Sequence, residues 1–140
     1  MQPKFRASQW CLEAVLKQIE YFKTNNEGIV VLEYSGYGPT HAKIKSALKD
    51  YPLATYAKKY DDHGYDEFLT TATKSGFSLD VVIAVGVNRG YCVFETVRGI
   101  IDQGIPTQLI EEATWSNDDP DGELSVLMNL ALENNLLEIL

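Results

Sequence analysis

The sequence predicts a three-layer α/β/α sandwich built on a mainly parallel, Rossmann-like sheet. Three observations carry this reading. Short apolar runs rich in β-branched residues alternate with stretches whose apolar residues recur at helical spacing, the pattern of strands joined by crossover helices. No repeat, low-complexity tract or long linker interrupts the 140 residues, which fit one domain. The run Asp80-Val81-Val82-Ile83-Ala84-Val85-Gly86-Val87 is nearly continuously apolar and has helical patterns on both sides. Such a strand is expected near the centre of a parallel sheet covered on both faces.

Residues 7–24 place Trp10, Ala14, Ile19 and Phe22 at helical spacing behind Ser8, a capping residue. Thr24-Asn25-Asn26-Glu27-Gly28 breaks that helix, and Ile29 to Tyr34 reads as a buried strand closed by Ser35-Gly36-Tyr37-Gly38-Pro39. Thr40 is placed to cap a helix to Lys49, followed by a shorter strand, Leu53 to Lys59. A loop at Asp61-Asp62-His63-Gly64 precedes a helix from Tyr65 to Lys74. After the apolar strand come a helix from Tyr91 to Gln103, a strand from Thr107 to Glu111, an acidic loop, a helix from Gly122 to Leu132, and a last apolar run, Leu136 to Leu140.

Composition narrows function. Twelve Lys and Arg against twenty Asp and Glu give a net charge of −8, which repels a phosphate backbone and argues against nucleic acid. No apolar run approaches a membrane span, and the first ten residues lack the apolar core of a signal peptide, so a cytoplasmic protein without membrane contact is expected. Cys11 and Cys92 are the only cysteines and lack Cys-x-x-Cys spacing, which supports neither a disulfide framework nor a thiolate zinc site. His41 and His63 lie in separate loops, so no metal site and no cofactor are expected. Gly36-x-Gly38 lacks the third glycine of a dinucleotide fingerprint.

In open parallel sheets, ligands bind at the carboxyl ends of strands. The turn Gly86-Val87-Asn88-Arg89-Gly90-Tyr91-Cys92-Val93 leads from the apolar strand into a helix and puts Cys92 in its first turn. There the macrodipole and unpaired N–H groups favour a thiolate and an oxyanion. Burial as a small apolar residue is the competing role. Tyr34 and Tyr37 follow one strand, Tyr60 and Tyr65 another, and Tyr91 lies in the cysteine turn; these could line a pocket at that edge or simply pack loops.

The segment from Val82 to Arg98, with Cys92-Val93 and Thr96 four residues after the cysteine, resembles the isochorismatase-like cysteine hydrolases. The resemblance continues through Gly104-Ile105-Pro106-Thr107 to Glu112-Ala113-Thr114. It implies a cysteine nucleophile, a lysine and an aspartate acting on a small amide or related C–N or vinyl ether substrate through a thioester-type intermediate. Cys92 matches the nucleophile, and Lys58 or Lys59 the lysine, with Lys58 preferred for its three-residue distance from Asp61. The resemblance also implies a cis peptide at Val87–Asn88, with the N–H groups of Asn88 and Cys92 holding the oxyanion, and a homo-oligomer.

The aspartate is expected at the end of a first strand, in a phrase whose continuation matches Met1-Gln2-Pro3-Lys4-Phe5. That strand, central in the implied sheet, and its carboxylate would then lie ahead of Met1. A mis-assigned start and a natural loss both account for this. The resemblance therefore implies a domain that is N-terminally truncated and impaired as an enzyme, with Glu33 as a less favoured substitute carboxylate. A non-catalytic binding or oligomerisation module on the same fold is the alternative.

Overall fold

The computed structural model describes residues 1, 8–116 and 120–140. The first helix, α1 (Gln9–Thr24), starts where Ser8 Oγ accepts a bond from Cys11 N at 3.2 Å. Its buried face, Leu12, Ala14, Val15 and Ile19, follows helical spacing. It packs against Val31, Ile44, Leu48 and Ala113 in the first of two core clusters. The strand β1 (Ile29–Tyr34) leads to α2 (Ala42–Leu48), β2 (Ala54–Lys59) and α3 (Tyr65–Lys74). Here the capping differs from expectation. His41 caps α2, its Nδ1 accepting from Lys43 N at 3.2 Å, because Thr40 is engaged elsewhere: its N and Oγ1 donate to Glu33 Oε2 at 2.6 and 2.8 Å.

Strand β3 (Val82–Val87) ends at the cis Val87–Asn88 peptide. A π-helical turn (Arg89–Val93) follows and runs into α4 (Phe94–Asp102), so the expected single helix from Tyr91 has an irregular first turn. Strand β4 (Thr107–Trp115) is longer than the sequence suggested; α5 (Pro120–Glu133) and β5 (Leu137–Ile139) complete the chain. The second core cluster joins Val93, Val97, Ile101, Leu109, Leu127 and Leu137.

The strands form two parallel pieces, β1–β2 and β3–β4–β5. Strand β3 is thus an edge of its piece among the described residues, where the sequence had placed it centrally. The pieces point the same way. The loop after β2 meets the turn after β3 through Asp62 and Cys92, and at the opposite ends the Phe77 ring lies against Gly28, where a Cβ would come within 2.3 Å of it. Between β1 and β3 lies a cleft of about 620 Å³.

Candidate active site

The cleft ends at Cys92, and three elements converge there. Alternation along β2 turns Lys58 to solvent and Lys59 inward, leaving Lys59 only 4% exposed. Lys59 Nζ donates to the carbonyls of Asp61 and Asp62 at 3.0 and 3.1 Å and lies 4.8 Å from the Tyr34 ring centroid. These bonds curl the loop after β2 around the ammonium. Cys92, in the π turn, donates from Sγ to Asp62 Oδ1 at 3.4 Å.

Thr96, one helical turn beyond Cys92, holds the same loop. Its Oγ1 accepts from Gly64 N at 3.1 Å and donates to the Asp62 carbonyl at 3.4 Å. Gly64 sits in a crowded place: an added Cβ would lie 2.8 Å from Leu32 Cδ1 and 3.0 Å from both Lys59 Cδ and Thr96 Oγ1, so these side chains would have to shift.

Arg89 fixes the turn from the other side. It is buried, with Nε donating to Thr114 Oγ1 at 3.0 Å and Nη2 to the carbonyls of Thr114 and Glu111 at 2.7 and 3.1 Å. The β3–β4 register shifts between Ala84 and Gly86, and these carbonyls lie at that irregularity. Glu123 Oε2 accepts from Gly90 N at 2.8 Å, tying α5 to the turn.

Burial pushes the Cys92 thiol above the usual cysteine range; the Lys59 charge opposes this, while the bond to Asp62 reinforces it. The depressed thiol expected from a helix terminus is corrected: desolvation outweighs the neighbouring positive charge. Burial pushes Cys11 further, to about 11, against the nearby Arg89 charge.

The structure therefore brings Cys92 together with Lys59, leaving Lys58 exposed. Asp62 is a carboxylate that the sequence reading did not single out; its signal was position, three residues after the inward lysine. Tyr34 is half-buried beside Lys59 and stacks edge-on with Tyr37 at 4.9 Å, whereas Tyr37, Tyr60 and Tyr91 are exposed. Tyr65 starts α3, its ring packed on Gly99. Glu33 is occupied by Thr40. His41 caps α2, and His63 lies 3.4 Å from Glu95 Oε2, so the two histidines serve different elements.

No family model matches the sequence, and no curated protein matches it. Solved structures do match its fold. A nicotinamidase from Staphylococcus aureus superposes with a TM-score of 0.80 at 17% identity, over 99% of this chain and 93% of that one. An octameric hydrolase of unknown specificity from Escherichia coli gives 0.80 at 16% identity, over 99% of this chain and 70% of that one. An isochorismatase from Pseudomonas putida gives 0.74 at 13% identity, covering 99% of this chain and 82% of that one. The parallel strands, the cysteine turn after β3 and these superpositions together give the chain the isochorismatase-like hydrolase fold.

Proposed function

We propose that the chain is a cysteine-nucleophile hydrolase of small amides, with Cys92 as nucleophile, Asp62 as proton acceptor and Lys59 as the fixed positive charge. The observation that carries this reading is the 3.4 Å contact between Cys92 Sγ and Asp62 Oδ1 beside the buried Lys59. The hydrolases among the structural neighbours support the reaction class.

The thiol proton passes to Asp62 as sulfur attacks the carbonyl carbon, and the carbonyl π pair moves to oxygen. The N–H groups of Asn88 and Cys92 and the Lys59 charge stabilise that oxyanion. Collapse breaks the C–N bond, and the leaving amine takes the proton from Asp62. Water, deprotonated by Asp62, then attacks the thioester; collapse expels the Cys92 sulfur, which regains the proton.

Turnover is expected to be slow. Burial disfavours the thiolate, and the open cleft leaves the reacting centre accessible to water. A homo-oligomer in the cytoplasm acting on a small molecule completes this reading; the octameric neighbour supports assembly.

The test is ammonia release from a panel of small primary amides. Slow release that Cys92→Ala abolishes and Asp62→Asn lowers about 10²–10⁴-fold is expected. Full activity in Asp62→Asn would remove Asp62 from the mechanism. The raised thiol favours a second reading, a binding module without turnover. Saturable amide binding with no ammonia release would select it.

A further inference from the structure

The π turn that carries Cys92 closes on one carbonyl: Asn88 O accepts from Val93 N at 3.0 Å and from Tyr91 N at 3.3 Å. Single turns of this kind occur inside α-helices, frequently at functional sites. Three side-chain contacts fasten it to other elements. Arg89 reaches β4, Cys92 Sγ reaches Asp62, and Gly90 N reaches α5. The last of these is made by a residue with no part in the chemistry described above, Glu123.

Glu123 lies in the first turn of α5, where a carboxylate is ordinarily favoured by the helix terminus and left in water. Here it is half-buried and turned inward, with Oε2 accepting from Gly90 N at 2.8 Å. Leu127, one helical turn on and on the same face, is fully buried and shares the second core cluster with Val93. The inner face of α5 thus serves both sides of Cys92, through Gly90 before it and the core around Val93 after it. Packing at Leu127 is non-directional, whereas the bond from Gly90 fixes the orientation of one peptide in the turn. A Cβ on Gly90 would lie 2.7 Å from Glu123 Cδ and 3.0 Å from its Cβ, so a side chain at position 90 would push the carboxylate away.

Cys92 Sγ and Asp62 Oδ1 are 3.4 Å apart and belong to separate elements, so a small rotation of the turn about its Arg89 anchor lengthens that contact. We infer that Glu123 is a positioning residue for the Cys92–Asp62 pair: by accepting from Gly90 N, its carboxylate holds the turn in the orientation that keeps Sγ on Asp62. It acts through the Gly90 peptide and not on the sulfur. The inference rests on the proposed roles of Cys92 and Asp62, and it adds α5 to the elements that build the site.

The test is a double-mutant cycle read at the Cys92 thiol, from iodoacetamide rates with peptide mapping on the 140-residue chain. The bond to Asp62 pushes this thiol up, so Asp62→Asn should speed alkylation about threefold or more at a fixed pH below the thiol midpoint. With Glu123→Ala in place, the same substitution should change the rate less than half as much. Glu123→Gln keeps an acceptor oxygen without the charge and should restore the full effect. Gly90→Ala should reproduce Glu123→Ala, and it carries the same comparison where Glu123→Ala does not fold. A merely stabilising bond would shift urea unfolding alone and leave the Asp62→Asn effect intact. An equal effect of Asp62→Asn with and without Glu123→Ala would overturn the inference, as would failure of Glu123→Gln to restore it. Asp62→Asn without effect in the parent chain would overturn the Asp62 assignment as well, so the two failures are told apart, and no readout needs amide turnover.

Discussion

Lys58 and Lys59 differ by one position, and strand alternation gives them opposite environments. Replacing Lys59 with Met removes the charge that opposes the rise in the Cys92 pKa. Alkylation of Cys92 at fixed pH should slow by about tenfold for each unit of further rise, whereas Lys58→Met should leave it unchanged; iodoacetamide kinetics followed by peptide mapping separate the two. Cys11 gives a prediction of opposite kind. Its thiol is fully buried and its pKa is pushed from 9.0 to about 11, so the folded chain holds that proton more tightly than the unfolded chain does. Stability from this group is present below pH 9 and is lost as pH rises toward 11, by an order of 2–3 kcal/mol. Cys11→Ala should flatten that part of a urea-denaturation pH series. The cysteine in its turn was legible as a site because strand, glycine and helix patterns frame it. Asp62 was not, since nothing local reveals that a loop folded around an inward lysine aims one of two adjacent carboxylates at a turn thirty residues on.

Among the elements, the irregular turn after β3 depends on an anchor that the sequence did not reveal. Arg89 looks like a surface charge in a polar turn, yet its three bonds to Thr114 and Glu111 bury it. Arg89→Ala leaves those acceptors without their guanidinium and should cost about 2–4 kcal/mol in urea unfolding, a loss that Lys cannot restore because it cannot donate in the same fork. Thr96 ties α4 to the loop bearing Asp62. Thr96→Val should lower amide turnover more than stability, about tenfold against about 1 kcal/mol, and Thr96→Ser should recover both. Helix and strand positions were readable because apolar spacing specifies them directly. The length of β4 was underestimated because Glu111 and Glu112 are exposed and interrupt the apolar pattern of a strand that continues through buried Ala113 and Thr114.

At the scale of the whole molecule, the α/β class follows from the alternation of elements, while the division of the sheet does not. Each strand looks complete in the sequence, and only the pairing shows that β1 and β3 face a cleft instead of each other. The outer surface carries a further consequence. Met128 and Leu132 lie one turn apart on α5 and are both exposed, 52% and 86%. Covering such a face by a second copy gives at least a dimer. Light scattering should therefore give twice 15.7 kDa or more, and Leu132→Glu should lower the mass toward that of the single chain.

The central claim, that Cys92 is a nucleophile assisted by Asp62 and Lys59, is most directly tested with 2-chloroacetamide, a small amide that alkylates the attacking sulfur without requiring turnover. The account predicts a rate that saturates with reagent concentration, modification of Cys92 alone by peptide mapping, and loss of saturation together with a slower rate in Lys59→Met. Equal labelling of Cys11 and Cys92, or a rate at Cys92 that rises linearly with reagent and is indifferent to Lys59→Met and Asp62→Asn, would contradict it.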